Sequence, residues 1–320
     1  MKHLEEFLEF LSIPSISALP EHRPDVEKAA EWLKDRMTRA EIEDVRVIAG
    51  PGNPIVFGRK NAQTLSPETA PTVLIYGHYD VQPADPFEEW NSPPFEGHVR
   101  DGKVFARGSA DDKGGVFPAL MAAEEAIKEN SLPLNLKFLF EGEEEIGSPT
   151  LKSLLESHRD LFACNLVLSV DGGMYSNEVP SITMGCRGLA AIQIDVLGPH
   201  TDVHSGGHGG VINNPIQALA AILCSMKDQD GRITVEGFYD DVAYVSEEER
   251  RKIAEAPFDQ DEYMKRLGVP DLFGEPEFTP LERMWIRPTL DPNGIWGGFQ
   301  GEGVKTIIPA RASCKITCRL

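Results

Sequence analysis

The sequence contains no run of about 18 apolar residues, no basic patch and no C-x-x-C pair. Without such an apolar run, no transmembrane helix is expected. Its 31 lysines and arginines face 51 aspartates and glutamates, for a net charge of −20. This acidity argues against binding to nucleic-acid phosphates or to anionic membranes. The five cysteines are scattered and odd in number, which favours reduced thiols in a cytoplasmic protein.

The first half of the chain alternates between helical and strand patterns. An amphipathic helix at the start carries Leu4, Phe7, Leu8 and Leu11 on its apolar stripe, which is not the pattern of a signal peptide. Further helices are predicted near 25–39, 113–130 and 148–162. Strands are predicted over 45–50, 53–60, 72–80, 103–108, 134–142 and 165–173, the last as a buried strand. This alternation indicates an α/β layer with helices on both faces of a sheet.

The pattern changes after about residue 185. Strands are predicted over 188–198, 232–235, 303–309 and 312–320, and helices over 213–228, 245–257 and 261–268. Cys314 and Cys318 lie four residues apart in the last strand and should share one of its faces. With 320 residues, the chain is long enough for two domains, so we predict a smaller, one-sided α+β unit after the first.

Four loops with acidic or histidine side chains follow the C-terminal ends of predicted strands. They contain His78 and Asp80; Asp111 and Asp112; Glu141, Glu143, Glu144 and Glu145; and Asp171. Ligand sites in open α/β sheets lie at these strand ends. One acidic loop is usually only solvated, but converging carboxylates repel one another unless a cation neutralises them. A pair of divalent metal ions, roughly 3.5–4 Å apart and sharing one bridging carboxylate, would remove that repulsion and activate a water molecule.

Five motifs occur in order along the chain: GHYDVQPADPFEEWNSPPF, ARGSADDKGG, FEGEEEIGS, SVDGG and DVHSGGHGG. Together they resemble the M20 metallopeptidases, and most of all the carnosinase-like, or cytosolic nonspecific, dipeptidase branch. The resemblance implies an α/β catalytic domain of the Zn-exopeptidase type over residues 1–185, with helices on both faces of a mixed sheet. It also implies an inserted α+β (ferredoxin-like) lid or dimerisation domain over residues 186–320.

The resemblance further implies two divalent metal ions, Zn or Mn. His78 and Asp171 are expected on one metal and Glu145 on the other. Asp111 is expected to bridge the two, with a cis peptide to Asp112. Ligand types alone do not choose between Zn and Mn, since imidazole and carboxylate suit both.

The remaining roles in this part of the chain concern proton transfer. Glu144 is expected to be the general base that takes a proton from the bridging water, and Asp80 is expected to orient the imidazole of His78. Within the glutamate motif, Glu141 or Glu143 could be confused with the functional pair. Alignment on the trailing Ile-Gly-Ser favours positions 144 and 145.

The second domain is expected to contact the substrate and a second copy of the chain. His204 resembles the lid histidine that reaches across a homodimer and polarises the scissile carbonyl. Arg319 resembles the arginine that holds the carboxylate of the substrate, a task suited to the bidentate guanidinium. Thr306 is a further substrate-contact candidate. The implied activity is metal-dependent hydrolysis of amide bonds in dipeptides or short peptides.

One departure from the family pattern leaves alternatives open. The pattern needs a second histidine ligand late in the chain, but no histidine follows His208 and the sequence stops at Leu320 inside a predicted strand. We therefore expect a chain truncated relative to the family, without the segment that returns to the catalytic domain. One alternative is an N-acyl-amino-acid deacylase of the same superfamily, of the acetylornithine or succinyl-diaminopimelate type. The other is a catalytically incomplete relative that binds or dimerises.

Overall fold

The computed structural model describes residues 3–176 and 179–320. Contacts divide the chain into two compact units, Met1–Ile182 and Thr183–Leu320, close to the boundary after residue 185 that the sequence pattern predicts. Each unit has its own apolar core. Among the described residues, none of the helices is both long and apolar enough to cross a membrane.

The first unit is built on a five-stranded mixed sheet. The strands of the whole unit are β1 (Glu43–Ile48), β2 (Ile55–Lys60), β3 (Thr72–His78), β4 (His98–Arg100), β5 (Lys103–Phe105), β6 (Asn135–Glu141) and β7 (Leu166–Ser169). Its helices are α1 (Leu4–Leu11), α2 (Arg23–Arg39), α3 (Lys113–Lys128), α4 (Leu151–Ser157) and α5 (Arg159–Phe162). The sheet order is β1-β2-β6-β3-β7, and β4 and β5 form a separate hairpin. Strands β6, β3 and β7 are parallel, while β1 and β2 are antiparallel to their neighbours.

Helices cover both faces of this sheet because successive strand side chains point to opposite sides. Val56, Ile75 and Phe138 pack into the core that contains α2 and α3. Their neighbours in sequence, such as Ile55 and Leu139, pack on the other face against α4 and α5. The predicted α/β layer with helices on both faces is therefore confirmed.

The second unit holds a three-stranded antiparallel sheet in the order β10-β12-β8. The strands of the whole unit are β8 (Leu189–Leu197), β9 (Val203–His204), β10 (Thr289–Gly297), β11 (Ile307–Ile308) and β12 (Arg311–Arg319). Its helices are α6 (Ser205–His208), α7 (Pro215–Ser225), α8 (Glu247–Ala254), α9 (Gln260–Leu267) and α10 (Pro280–Trp285). Leu219 of α7 packs with Cys314, Ile316 and Cys318, so the two cysteines share the buried face of β12 as predicted. Strands β9 and β11 form a separate antiparallel pair.

Several predicted elements of the chain are wrong in part. The strand predicted over 303–309 is reduced to Ile307–Ile308. The segment 232–235 is not a strand, since it makes only an isolated bridge between Ile233 and Lys227. The helix predicted over 148–162 is broken at His158, where the Ser157 hydroxyl and the histidine ring both contact the carbonyl of Leu154. Strand β7 is shorter than predicted and is exposed rather than buried, because it pairs with β3 alone at the edge of the sheet.

Several short elements, such as β4 and β9, escape the sequence patterns, and so do β10 and α10. Strand β10 contains Pro292, Asn293 and Gly294, residues typical of a turn, and its pairing with β12 shifts register at this point. Helix α10 has only six residues, too few for a clear apolar period. It is nevertheless well capped, since Thr279 and Glu282 form a reciprocal capping box at its start.

Candidate metal centre

The candidate site lies where three parallel strands of the first unit end. His78 is the last residue of β3, Asp171 follows the end of β7 by two positions, and Glu144 follows β6. Parallel strands present their carboxyl ends at one edge of a sheet, so these residues gather there. The Asp111 loop instead leads from the β4–β5 hairpin into α3. The strand predicted over 103–108 is β5, which pairs with β4 and does not belong to the main sheet.

Three of the predicted metal ligands form one compact group. Ligand atoms of His78, Asp111 and Asp171 all lie within 4.8 Å of one another. The His78 Nε2 atom is 2.9 Å from Asp111 Oδ1, 3.9 Å from Asp171 Oδ2 and 4.0 Å from Glu144 Oε2. The side chain of His78 is fully buried whereas that of Asp111 is 67% exposed. The group therefore has a buried nitrogen donor at its base and oxygen donors facing solvent.

The imidazole of His78 lies against Asp80, and its nearest contact there is with the main chain. His78 Nδ1 lies 3.1 Å from the backbone carbonyl oxygen of Asp80 and 3.4 Å from its side-chain Oδ1. Burial disfavours the imidazolium, yet the hydrogen bond and charge of Asp80, with the charges of Asp112 and Asp171, raise the pKa of His78 to about 10. Nε2 is left to face the carboxylates of the site.

The Asp111–Asp112 peptide is cis, as the resemblance implies. Asp112 is buried, and its Oδ2 accepts a 3.1 Å hydrogen bond from the backbone N–H of His78. Its Oδ1 has no hydrogen-bond partner among the described residues. A Cβ atom at Gly115 would lie 2.1 Å from this oxygen, so glycine is needed there for the close approach. Burial raises the pKa of Asp112 to about 7.

The next residue, Lys113, ties the metal loop to the start of the chain. Its buried side-chain nitrogen donates hydrogen bonds to the carbonyl oxygens of Phe10 (3.0 Å), in the last turn of α1, and of Ile13 (2.6 Å), just after that helix. Ser15 then donates from its hydroxyl to the carbonyl of Tyr79 at 2.6 Å. The N-terminal segment thus supports both the Asp111 loop and the chain that follows His78.

The four glutamates of the next loop divide into two pairs. Glu141 and Glu143 are buried, while Glu144 and Glu145 are partly exposed. The carboxylate of Asp80 accepts the backbone N–H groups of Glu144 (3.2 Å) and Glu145 (3.1 Å), which fixes where this second pair begins.

The electrostatics of the exposed pair follow from this placement. Burial raises the pKa of Glu144, and the charge of Asp171 raises it further against the opposing effect of His78. Burial and the charge of Asp111 likewise raise the pKa of Glu145. Glu145 lies outside the compact group and accepts a 2.7 Å hydrogen bond from Gln82 Nε2. The alternation of residues 78, 80 and 82 was the signal that could have identified this glutamine.

In the second unit, two of the predicted substrate residues meet. His204 on β9 lies beside β11, and its Nε2 is 3.4 Å from the hydroxyl of Thr306. Its Nδ1 accepts the backbone N–H of Gly206 at 3.0 Å, so Nε2 is the ring nitrogen that carries the proton. Arg319 is exposed at the end of β12, opposite Leu189. Burial, with the positive charge of Arg319, lowers the pKa of Arg187.

The imidazole of His78 and the carboxylates of Asp111 and Asp171 are suitable ligands for a divalent transition metal. Mixed nitrogen and oxygen sites of this kind serve hydrolysis when one position is open to water and substrate. The exposed side of Asp111 and Glu144 provides such an opening.

Comparisons with known proteins identify the family of the chain. Residues 74–269 match the model of peptidase family M20/M25/M40. The Beta-Ala-His dipeptidase of Homo sapiens is 32% identical, with 99% of this chain aligned to 66% of that protein. The Cys-Gly metallodipeptidase dug1 of Schizosaccharomyces pombe is 33% identical, with 97% of this chain aligned to 67% of that protein. The chain belongs to the M20 peptidase family.

A solved structure extends the comparison to the fold. The M20 family metallo-carboxypeptidase Sso-CP2 from Sulfolobus solfataricus superposes with a TM-score of 0.80 at 33% identity. The superposition covers 100% of this chain and 71% of that one. The chain spans from about half to about two thirds of the length of the Beta-Ala-His and Cys-Gly dipeptidases it matches.

Proposed function

We propose that this protein hydrolyses amide bonds of dipeptides or short peptides in a metal-dependent reaction. The observation that carries the proposal is the convergence of His78, Asp111 and Asp171 at one sheet edge, with Glu144 beside them. The names of the relatives, which are dipeptidases for β-Ala-His and Cys-Gly, support the substrate class.

The ligand set favours two divalent ions, Zn or Mn. His78 and Asp171 would hold one ion, Glu145 would hold the other, and Asp111 would bridge them. The chemistry that such a pair supplies is polarisation of the scissile carbonyl and activation of water. The position of Asp111 suits a bridging role, because its Oδ1 lies 2.9 Å from His78 Nε2 while the side chain as a whole is 67% exposed.

Glu144 is the proposed general base. Its carboxylate is near the metal ligands without belonging to their compact group, and its backbone is fixed by Asp80. The pKa of Glu144 is raised towards neutral pH, which suits a carboxylate that must both accept and release a proton. Glu144 takes a proton from the attacking water and delivers it to the leaving amine nitrogen.

The second unit is proposed to complete the substrate site. We assign residues 1–185 to catalysis and 186–320 to a lid that also forms a homodimer. His204 and Thr306 lie together on the β9–β11 pair, as residues that contact one substrate should. Arg319 would bind the terminal carboxylate of the substrate through its two parallel N–H donors. A cytoplasmic location is consistent with five free cysteines.

The test is hydrolysis by the purified chain supplied with Zn²⁺ or Mn²⁺. We expect β-Ala-His or Cys-Gly to be cleaved and N-acetyl amino acids to be left intact. Glu144→Gln should lower kcat at least about 100-fold, the usual loss for a general base. Glu129→Gln, an exposed residue at the end of α3, is the matched control. A metal-loaded protein without dipeptide hydrolysis, or with Glu144→Gln as active as the control, would overturn the proposal.

A further inference from the structure

The glutamate Glu141 has no role in the chemistry proposed above, yet it lies against the metal centre. It is the last residue of β6, only 2% exposed, and stands directly opposite His78 in the β3–β6 pairing. A buried carboxylate is costly unless its oxygens are hydrogen-bonded. The partners of Glu141 therefore indicate what it does.

Both hydrogen bonds described for Glu141 end on a single oxygen. Its Oε1 accepts the phenol of Tyr76 at 2.6 Å and the hydroxyl of Ser148 at 3.0 Å. Tyr76 lies two residues before His78 on β3, whereas Ser148 follows the turn that carries Glu144 and Glu145. One atom thus joins the strand that ends in a metal ligand to the far end of the glutamate turn.

This turn needs support because its backbone is not in a relaxed conformation. Gly147 and Ser148 have φ angles of 84° and 48°, in the left-handed region that non-glycine residues rarely adopt. Such a serine persists only when its surroundings hold it in place. The near end of the turn is held by Asp80. At the far end, the backbone N–H of Ser148 donates to the carbonyl of Glu143 at 2.8 Å, and its hydroxyl donates to Glu141, the side-chain contact that holds this end.

We propose that Glu141 is a positioning residue that places Glu144 and Glu145 at the metal centre by holding Ser148 and Tyr76. The inference rests on the proposed function, since it concerns the same site. A role for Glu141 as a metal ligand is a different hypothesis, in which its charge would matter. In the positioning role only the acceptor oxygen matters.

The variants separate these two roles. Glu141→Gln keeps an amide oxygen that can accept both hydroxyl groups, whereas Glu141→Met keeps the length and removes the acceptor. Tyr76→Phe removes one of the two bonds. Tyr239→Phe is the matched control, because Tyr239 donates a comparable 3.1 Å bond to the buried Glu275 in the second unit.

The first measurement is hydrogen exchange of a peptide spanning residues 143–150, which requires neither metal nor activity. We expect at least tenfold faster exchange in Glu141→Met, a smaller increase in Tyr76→Phe, and rates within threefold of wild type in Glu141→Gln and Tyr239→Phe. Equal exchange in Glu141→Met and wild type would overturn the proposal.

The second measurement is calorimetric titration with Mn²⁺ or Zn²⁺ at a temperature where all variants are folded. Glu141→Met should bind the ion at least tenfold more weakly, and Glu141→Gln should bind it like wild type. Equal losses in both would assign the effect to the charge of Glu141 and overturn the positioning role. If the wild type binds no metal and exchange is nevertheless faster in Glu141→Met, the positioning role is supported while the proposed function fails.

Discussion

Loading the metal centre should stabilise the unit that contains it. His78, Asp111, Glu144 and Asp171 all belong to Met1–Ile182. An ion that binds only the folded state adds about 2.7 kcal/mol when its free concentration is 100 times its Kd. Since a unit of this size gains about 2–4 °C per kcal/mol, the melting temperature should rise by about 5–11 °C.

The assay is differential scanning calorimetry of protein first stripped with a chelator and then supplied with Mn²⁺ or Zn²⁺. Asp111→Asn keeps the shape of the side chain and removes the charge at a position that is 67% exposed, so the metal-free protein should melt almost as before. The rise in the melting temperature of Asp111→Asn on addition of the ion should be below about 2 °C, because the site without this carboxylate binds the ion much more weakly.

Asp101→Asn is the control for this experiment, since it removes an exposed aspartate in the turn between β4 and β5. Asparagine also tolerates the positive φ angle of that position. The control should show the full rise of the wild type. A wild type whose melting temperature does not respond, or an Asp111→Asn variant that responds fully, would refute the assignment of the metal centre.

Two further predictions concern protons and buried charge. Burial lowers the pKa of His78, but the neighbouring carboxylates outweigh it and raise that pKa to about 10. Below this pH a metal ion must displace a proton from His78 in order to bind. The Kd of the metal ion should therefore fall by up to about tenfold per pH unit from pH 7 to pH 9. Calorimetric titration at several pH values checks this, and a Kd independent of pH would contradict it. Glu124→Ala should cost about 3 kcal/mol in urea denaturation, because it leaves the guanidinium of Arg36, 2% exposed, without its 2.5 Å partner. Lys128→Ala removes only the exposed partner of Glu124, so a loss as large as that of Glu124→Ala would contradict the reasoning.

The location of the site was predictable because it depends on the ends of strands. Apolar runs that finish in His78 or Asp171 identify buried or paired strands, and parallel strands bring those ends to one edge. The resemblance added the roles of the individual residues and the cis peptide after Asp111.

The functions within the glutamate motif were less predictable. Alternation along a strand places residues 141 and 143 on one side, but the short helical turn at Glu144–Ile146 breaks that period. Which carboxylates face the metal therefore depends on contacts with distant residues. Glu143, for example, accepts the backbone N–H of Asn53 at 2.8 Å, a residue 90 positions away.

Exposure was also beyond the reach of the local pattern. The apolar run at 165–173 predicts burial, yet Leu166 and Val167 of β7 are 59% and 55% exposed. A strand's own residues do not state whether a neighbour will cover it. The contact between His204 and Thr306 likewise joins residues 102 positions apart, and only the fold shows it.

The contacts of Lys113 change how the beginning of the chain should be regarded. Lys113, two residues after Asp111, donates hydrogen bonds to the carbonyl oxygens of Phe10 and Ile13. Ser15 donates to the carbonyl oxygen of Tyr79, the residue that follows His78. An affinity tag or a proteolytic cut within the first sixteen residues would therefore act as an active-site lesion. We expect preparations trimmed at the amino terminus to bind metal ions more weakly although they keep His78, Asp111 and Asp171, so weak binding by such a preparation would not test these side chains as ligands.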